Sequence, residues 1–440
     1  MILTTFMWEK LKENKLVLIP SLIGLVTLFY GLGSHYQKLV SDEMTFFLNA
    51  DFLKGDPYYP YLILPEGIGT THTLLPYLIG FSLEIFGYTI FGLRFVPALF
   101  GLLGIAVFFF LVKGMVNKHR SALLAATLLA LTHWYIAISR VAIELSEILF
   151  FTILNLYCLS LFLNVDPSTA TIGNFKIKKK YIFILLTGLT FGLVQHTYQS
   201  ARVYLLFYIL FFPIYWWVKK VRLKEMVVYS LLFALGFIIT LSPLIFAYLQ
   251  HPESFDSRKG ELVFYQNLGP QDLLWSLKES TFRTLGMFHF RGSDVSCYNV
   301  PARPMLDPYS SFFLIIGFVL ALKNFRREVN LVLLLFFAVA LVPSIISYWP
   351  AAPHGLRASG VIIPTMVWVG LGLEKTSQLF KKYQWIFLIF ALLIIGYLNL
   401  KTYFVDQASL QTDCFRIDVG DFQKYKDQFL EFTEGVKYIR

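Results

Sequence analysis

The stretch KLVLIPSLIGLVTLFYGLGSHYQKLVSDE, residues 15–43, decides the fold. Residues 15–36 form an apolar run long enough to cross a bilayer as a helix. The acidic pair Asp42-Glu43 follows almost at once. Two carboxylates at the mouth of a membrane helix are costly unless they are solvated or used. The pair opens a segment, 42–60, that reads as a short helix followed by a Gly55-Asp56-Pro57 turn.

Similar apolar runs recur along the chain, near 94–113, 120–134, 139–163, 181–196, 201–218, 226–249, 309–322, 329–348, 360–373 and 385–403. The sequence is 56% hydrophobic and only 15% charged, which excludes a soluble domain of this length. The expected fold is an all-α polytopic membrane protein with about eleven transmembrane helices and interfacial helices in the first external loop. The weaker run 74–90, which carries Gly80 and Glu84, reads as a re-entrant or interfacial helix. Residues 1–404 are expected to form one membrane domain. Residues 405–440 read as an extracytoplasmic C-terminal segment, either a tail or the start of a small domain, too short for a core of its own.

Lysine and arginine concentrate in every second loop, in groups such as Lys10/Lys12/Lys15, Lys176/Lys178/Lys179/Lys180 and Lys219/Lys220/Arg222/Lys224. The positive-inside rule places these loops in the cytoplasm, with the N-terminus. Asp42 then faces outward from the plasma membrane, and the first span reads as a retained anchor. The net charge of +10 is a topology signal; its dispersal over six loops argues against nucleic acid as a partner. Cys297 and Cys414 fall on the external side, where a disulfide between them is chemically allowed.

On that side, Asp42 is the candidate general base toward an acceptor hydroxyl, with Glu43 beside it as a second candidate catalytic carboxylate. A solvated helix start would explain the same pair. Arg140, Glu144 and Glu147, at i, i+4 and i+7, read as one face of a helix lining a polar cavity or as a self-satisfied ion pair. His196 and Tyr198, in the turn 195–202, and His72 are further candidate cavity residues. Arg140, Arg202, Arg291, His354 and Arg357 are candidate ligands of a phosphate, because the guanidinium fork donates two hydrogen bonds to it. For each of these, a hydrogen-bonded turn or solvated loop is the competing explanation. No P-loop and no paired Cys/His spacing is present, so no metal ligand is assigned and no cofactor is certain; a divalent metal stays open.

The order of several short motifs resembles the protein O-mannosyltransferase and aminoarabinose-transferase-like branch of the C-type glycosyltransferase superfamily. The motifs are Asp42-Glu43, Lys54-Gly55-Asp56, Phe86-Gly87, Leu93-Arg94-Phe95-Val96-Pro97, Ser139-Arg140 with Glu144, His196-Thr197-Tyr198 with Arg202, the stretch 251–258, Asn299-Val300-Pro301-Ala302-Arg303-Pro304, and Pro353-His354-Gly355-Leu356-Arg357. Where relatives have a Lys-Pro-Pro-Leu-like stretch, this chain reads Thr71-His72-Thr73-Leu74-Leu75-Pro76, so no contact carries over to that loop. The resemblance implies a polyprenyl-phosphate-linked sugar donor and an acceptor protein, lipid or glycan. It implies Asp42 as base, arginines on the leaving phosphate, and a single displacement with inversion. A lipid or sugar transporter or flippase, and a glycan polymerase or ligase, are the alternative readings. The lack of a Trp-Trp-Asp-Tyr-Gly run disfavours an oligosaccharyltransferase catalytic subunit. The lack of an internal repeat weighs against the transporter.

Overall fold

The computed structural model describes residues 14–36, 38–54, 60–63, 70–165, 168–172, 175–250, 252, 268–347, 349–410 and 416–433. Among them the chain is mainly helical. The helices are α1 (Leu18–Phe29), α2 (Ser41–Phe52), α3 (Leu74–Phe86), α4 (Ile90–Val116), α5 (His119–Leu131), α6 (His133–Ser139), α7 (Leu145–Asn164) and α8 (Lys179–Gln195). They continue as α9 (Leu205–Lys219), α10 (Leu223–Gln250), α11 (Pro270–Gly286), α12 (Pro308–Lys323), α13 (Glu328–Ile345), α14 (Ile362–Ser377), α15 (Gln384–Lys401) and α16 (Phe422–Thr433). Two antiparallel hairpins interrupt them: β1 (Tyr61–Ile63) with β2 (Thr70–His72), and β3 (Thr169–Ile172) with β4 (Phe175–Lys178).

The apolar runs expected to span coincide with helix over most of their length, but 120–134 crosses the bend between α5 and α6 and 139–163 includes the break before α7. By length and apolarity, six helical segments suffice to cross a bilayer, or seven if the bent pair α5–α6 is one span. A count of eleven crossings is therefore not established. Residues 133–139 form the short helix α6, set at 61° to α5. Between α10 and α12 lies the helix α11.

The helices sort into inner and outer ones. α4, α5, α7 and α14 bury most of their residues, as helices apolar all round do when they form a core. α9, α10 and α15 turn large apolar groups outward, among them Trp217, Leu231, Phe246, Leu393 and Tyr397. Such a surface suits lipid. α11 is inverted relative to a soluble helix. Its buried stripe is Ser276, Ser280 and Thr284, and its exposed side carries Leu274, Trp275 and Phe282. The exposed side also carries Asp272 and Lys278, so large apolar and charged groups share it, as on a helix lying at a membrane interface.

Glycines set the closest helix approaches. A Cβ on Gly188 of α8 would lie 2.1 Å from the Phe233 carbonyl oxygen of α10, and one on Gly236 would lie 2.4 Å from the Leu185 oxygen. Gly188→Val should force α8 and α10 apart and destabilise the fold by about 1–3 kcal/mol. Thermal unfolding in detergent would read it; an unchanged midpoint would mean the two helices do not meet at this glycine.

Candidate active site

The acidic pair divides into two roles. Glu43 is fully buried and Asp42 is exposed, both in the first turn of α2. Glu43 sits at the third helical position and takes the Val40 N–H at 3.1 Å, as in a capping box. Arg94 of α4 holds its two oxygens in a fork: Nε to Oε1 and Nη2 to Oε2, both 2.7 Å. The Ala142 N–H adds a bond of 3.0 Å to Oε1. Arg94 spends its other capacity on the carbonyls of Tyr36, at 2.7 Å, and Lys38, at 3.0 Å. Glu43 is thus held by four hydrogen bonds from three segments, and its carboxylate is committed to building the loop rather than to exchange with a substrate. Asp42 projects from the same turn, at the favourable end of the helix dipole for a carboxylate.

Tyr298 locates the surroundings of Asp42. Its side chain is 4% exposed and its hydroxyl has no hydrogen-bond partner among the described residues. Burial first, then the charges of Asp42 and Glu43, followed by Tyr198 and Glu144, raise its pKa well above the usual phenol value. One phenol therefore feels side chains from three other segments: the start of α2, the turn after α8 and the start of α7. Of the residues expected at the site, Asp42, Glu43, Glu144 and Tyr198 all act electrostatically on this one phenol.

The expected arginine cluster disperses. Arg140 is buried at 2% exposure, and its Nη1 donates to the carbonyls of Thr27, at 3.0 Å, and Leu28, at 2.9 Å. Its Nε donates to the Tyr403 hydroxyl at 3.1 Å. Those carbonyls belong to the last turn of α1, where no intrahelical donor reaches them. Arg140 is a clamp on a helix end and not a free phosphate ligand. Nor do Arg140, Glu144 and Glu147 share one helix face. Arg140 ends α6, Glu144 precedes α7, and only Glu147 lies inside it. Glu147 is fully buried. The chain turns between them because Ala142 is drawn onto Glu43.

Arg291 is exposed and paired with Asp294 at 3.0 Å. His196 is buried and its Nε2 donates to the Thr240 carbonyl at 2.7 Å, toward α10. His72 is buried at the end of β2. Arg202 and Arg357 are partly exposed. Arg202 donates to the Tyr248 hydroxyl at 2.9 Å and Arg357 to the Ser347 hydroxyl at 3.0 Å. The turns that precede α9 and α14, next to these arginines, both pack on α13. Burial and then Arg357 push His354 down to about 4, so at neutral pH it offers a hydrogen bond without a charge.

Cys297 is disulfide-bonded and Cys158 is free; Cys414, the stretch 253–258 and the turn 55–57 lie outside the described residues. Among the described residues, no three His, Cys, Asp or Glu side chains are arranged to hold a metal ion.

Residues 22–255, more than half of the chain, match the model of the dolichyl-phosphate-mannose-protein mannosyltransferase family. No curated protein matches the sequence. The fold is shared with solved structures, among them the following two. The archaeal oligosaccharyltransferase AglB from Archaeoglobus fulgidus, in complex with an inhibitory peptide and a dolichol-phosphate, aligns with a TM-score of 0.59 at 14% identity, over 98% of this chain and 62% of AglB. ArnT from Cupriavidus metallidurans, bound to undecaprenyl phosphate, aligns with a TM-score of 0.54 at 13% identity, over 95% of this chain and 76% of ArnT. The chain thus spans less than two thirds of the length of AglB.

Proposed function

This chain belongs to the dolichyl-phosphate-mannose-protein mannosyltransferase family, and we propose that it moves a sugar from a polyprenyl-phosphate donor to an acceptor hydroxyl on the extracytoplasmic face of the membrane. One observation carries the reading. An exposed carboxylate, Asp42, stands on a helix turn that a buried ion pair, Glu43–Arg94, fixes in place. A general base needs that combination of access and fixed position. The dolichol-phosphate of AglB and the undecaprenyl phosphate of ArnT support a lipid-phosphate donor.

In the proposed reaction the acceptor oxygen attacks the anomeric carbon and its proton passes to Asp42. The bond from that carbon to the phosphate oxygen breaks with its electron pair. Polyprenyl phosphate leaves, and one displacement inverts the anomeric centre. Arg202 and Arg357 are the partly exposed guanidinium groups proposed to meet the charge growing on the phosphate. A divalent cation at the phosphate stays an open proposal, as do the sugar and the acceptor protein, lipid or glycan.

Purified protein incubated with radiolabelled polyprenyl-phosphate sugars and a membrane extract should transfer label to an acceptor. Label that stays on the donor with every sugar offered would remove the reading. Within it, Arg357→Ala should weaken binding of the polyprenyl phosphate about 10- to 100-fold, the scale of a hydrogen bond to a charged group. Unchanged donor affinity in a binding assay would take Arg357 off the phosphate.

A further inference from the structure

We propose that the C-terminal segment 416–433 is a strap that holds the Asp42-bearing helix in its working position, with Ile417, Phe422 and Lys426 as positioning residues. The proposal rests on the reading of Asp42 as the base.

The strap grips α2 on both sides of its active turn. Before the turn, the Leu39 N–H donates to the Ile417 carbonyl at 2.8 Å, and the N–H groups of Arg416 and Ile417 return to the Leu39 carbonyl at 3.2 Å. This isolated bridge lies three residues ahead of Asp42. After the turn, Lys426 of α16 meets Asp51 at 2.8 Å. The Phe422 ring centre lies 4.3 Å from that of Phe47 and 5.4 Å from that of Tyr88. The Tyr88 hydroxyl donates to the other Asp51 oxygen.

The strap also lays Ile417, Val419, Phe422 and Tyr425 against the apolar core. The strap side chains Asp418, Asp421 and Lys424 are on its surface. The strap comes from more than 350 residues beyond α2 in the chain. Its attachment to α2 is therefore a long-range contact, made once the apolar helices have brought α2 and the chain's end together. A bond pattern that fixes both ends of a twelve-residue helix leaves its first turn little freedom to tilt. Burial alone would raise the Asp51 carboxyl. Lys426, Tyr88 and then the charge of Lys54 instead hold it below its usual range. Lys54 is in turn paired with Glu84. A depressed carboxyl stabilises the attachment above its unfolded pKa and loses that contribution as pH falls through the folded one. The grip is therefore charged throughout the neutral range.

The test uses the full chain in detergent or nanodiscs. The variants are Lys426→Glu, Asp51→Lys, the two combined, and Ile417→Pro, which lacks the N–H that Leu39 accepts. Hydrogen exchange across 41–52 reads the strap without any assay of activity. Turnover at saturating donor and donor binding are measured beside it. Lys426→Glu and Ile417→Pro should each speed exchange in 41–52 and lower kcat about tenfold, within the 10²-fold that an ångström-scale misplacement costs. Donor affinity and the unfolding midpoint of the bundle should stay. The charge swap should recover most of the turnover lost in Lys426→Glu. Unchanged exchange over 41–52 in both Lys426→Glu and Ile417→Pro would overturn the strap, as would a kcat loss that the swap fails to recover. If the wild-type protein transfers no sugar, the functional reading fails, while the exchange data still decide the strap.

Discussion

Asp42→Asn should abolish most of the transfer while leaving the fold and donor binding intact. The amide has the size of the carboxylate and still accepts a hydrogen bond, but it does not take the acceptor's proton. A positioned acid–base group contributes roughly 100- to 10,000-fold, so turnover at saturating donor should fall by that factor. The fold should not change because Asp42 is exposed at the helix start, and Glu43 and Arg94 hold the turn. Donor affinity, measured separately, should stay within about threefold, since a base proposed to act on the acceptor contributes little to ground-state binding of the donor. Near wild-type turnover in Asp42→Asn would take the base away from Asp42. Glu144 would then be the next carboxylate to test, because Tyr298 feels it from the same surroundings.

Much of the architecture was legible in the sequence because membrane helices announce themselves by length and apolarity. The runs at 94–113, 226–249 and 385–403 each became a helix, with ends shifted by a few residues. What failed was the extension of helical periodicity through residues 140–147. The arithmetic that put Arg140, Glu144 and Glu147 on one face presumed an unbroken helix. The break exists because the Ala142 N–H is drawn onto Glu43, a contact across 99 residues that no local pattern encodes. Arg140 was misread for a related reason. An arginine near a predicted span end looks like an anion ligand, yet here it caps backbone carbonyls of α1, and only the packing of α6 on α1 shows this. Arg94 was quoted within a motif and assigned no role. A signal was present, since an arginine inside a long apolar helix needs a partner, and Glu43 is an acid at the mouth of the neighbouring span. The helix at 422–433 and its grip on Asp51 carried no such signal. Both depend on where the end of the chain lands.

The Glu43–Arg94 pair gives the largest stability effect expected. Both side chains are removed from water, at 0% and 2% exposure, and every oxygen and nitrogen described above has a partner. Removing one partner of a buried pair leaves an uncompensated charge, at a cost of about 3–5 kcal/mol. Arg94→Ala should therefore lower the unfolding free energy in detergent by about that amount and loosen α2, because the Tyr36 and Lys38 carbonyls lose their donors too. Arg94→Lys should recover only part, since an ammonium does not reproduce the planar fork. Glu43→Gln keeps shape and hydrogen-bond capacity but removes the charge. It should destabilise the fold and lower turnover in parallel. In a double-mutant cycle, Glu43→Gln and Arg94→Ala should be strongly non-additive, because each alone already dismantles the pair. One outcome would reverse the division of labour between the two acids. If Glu43→Gln unfolds at the wild-type midpoint yet loses turnover as Asp42→Asn does, Glu43 takes part in the chemistry and is more than the anchor beneath the base.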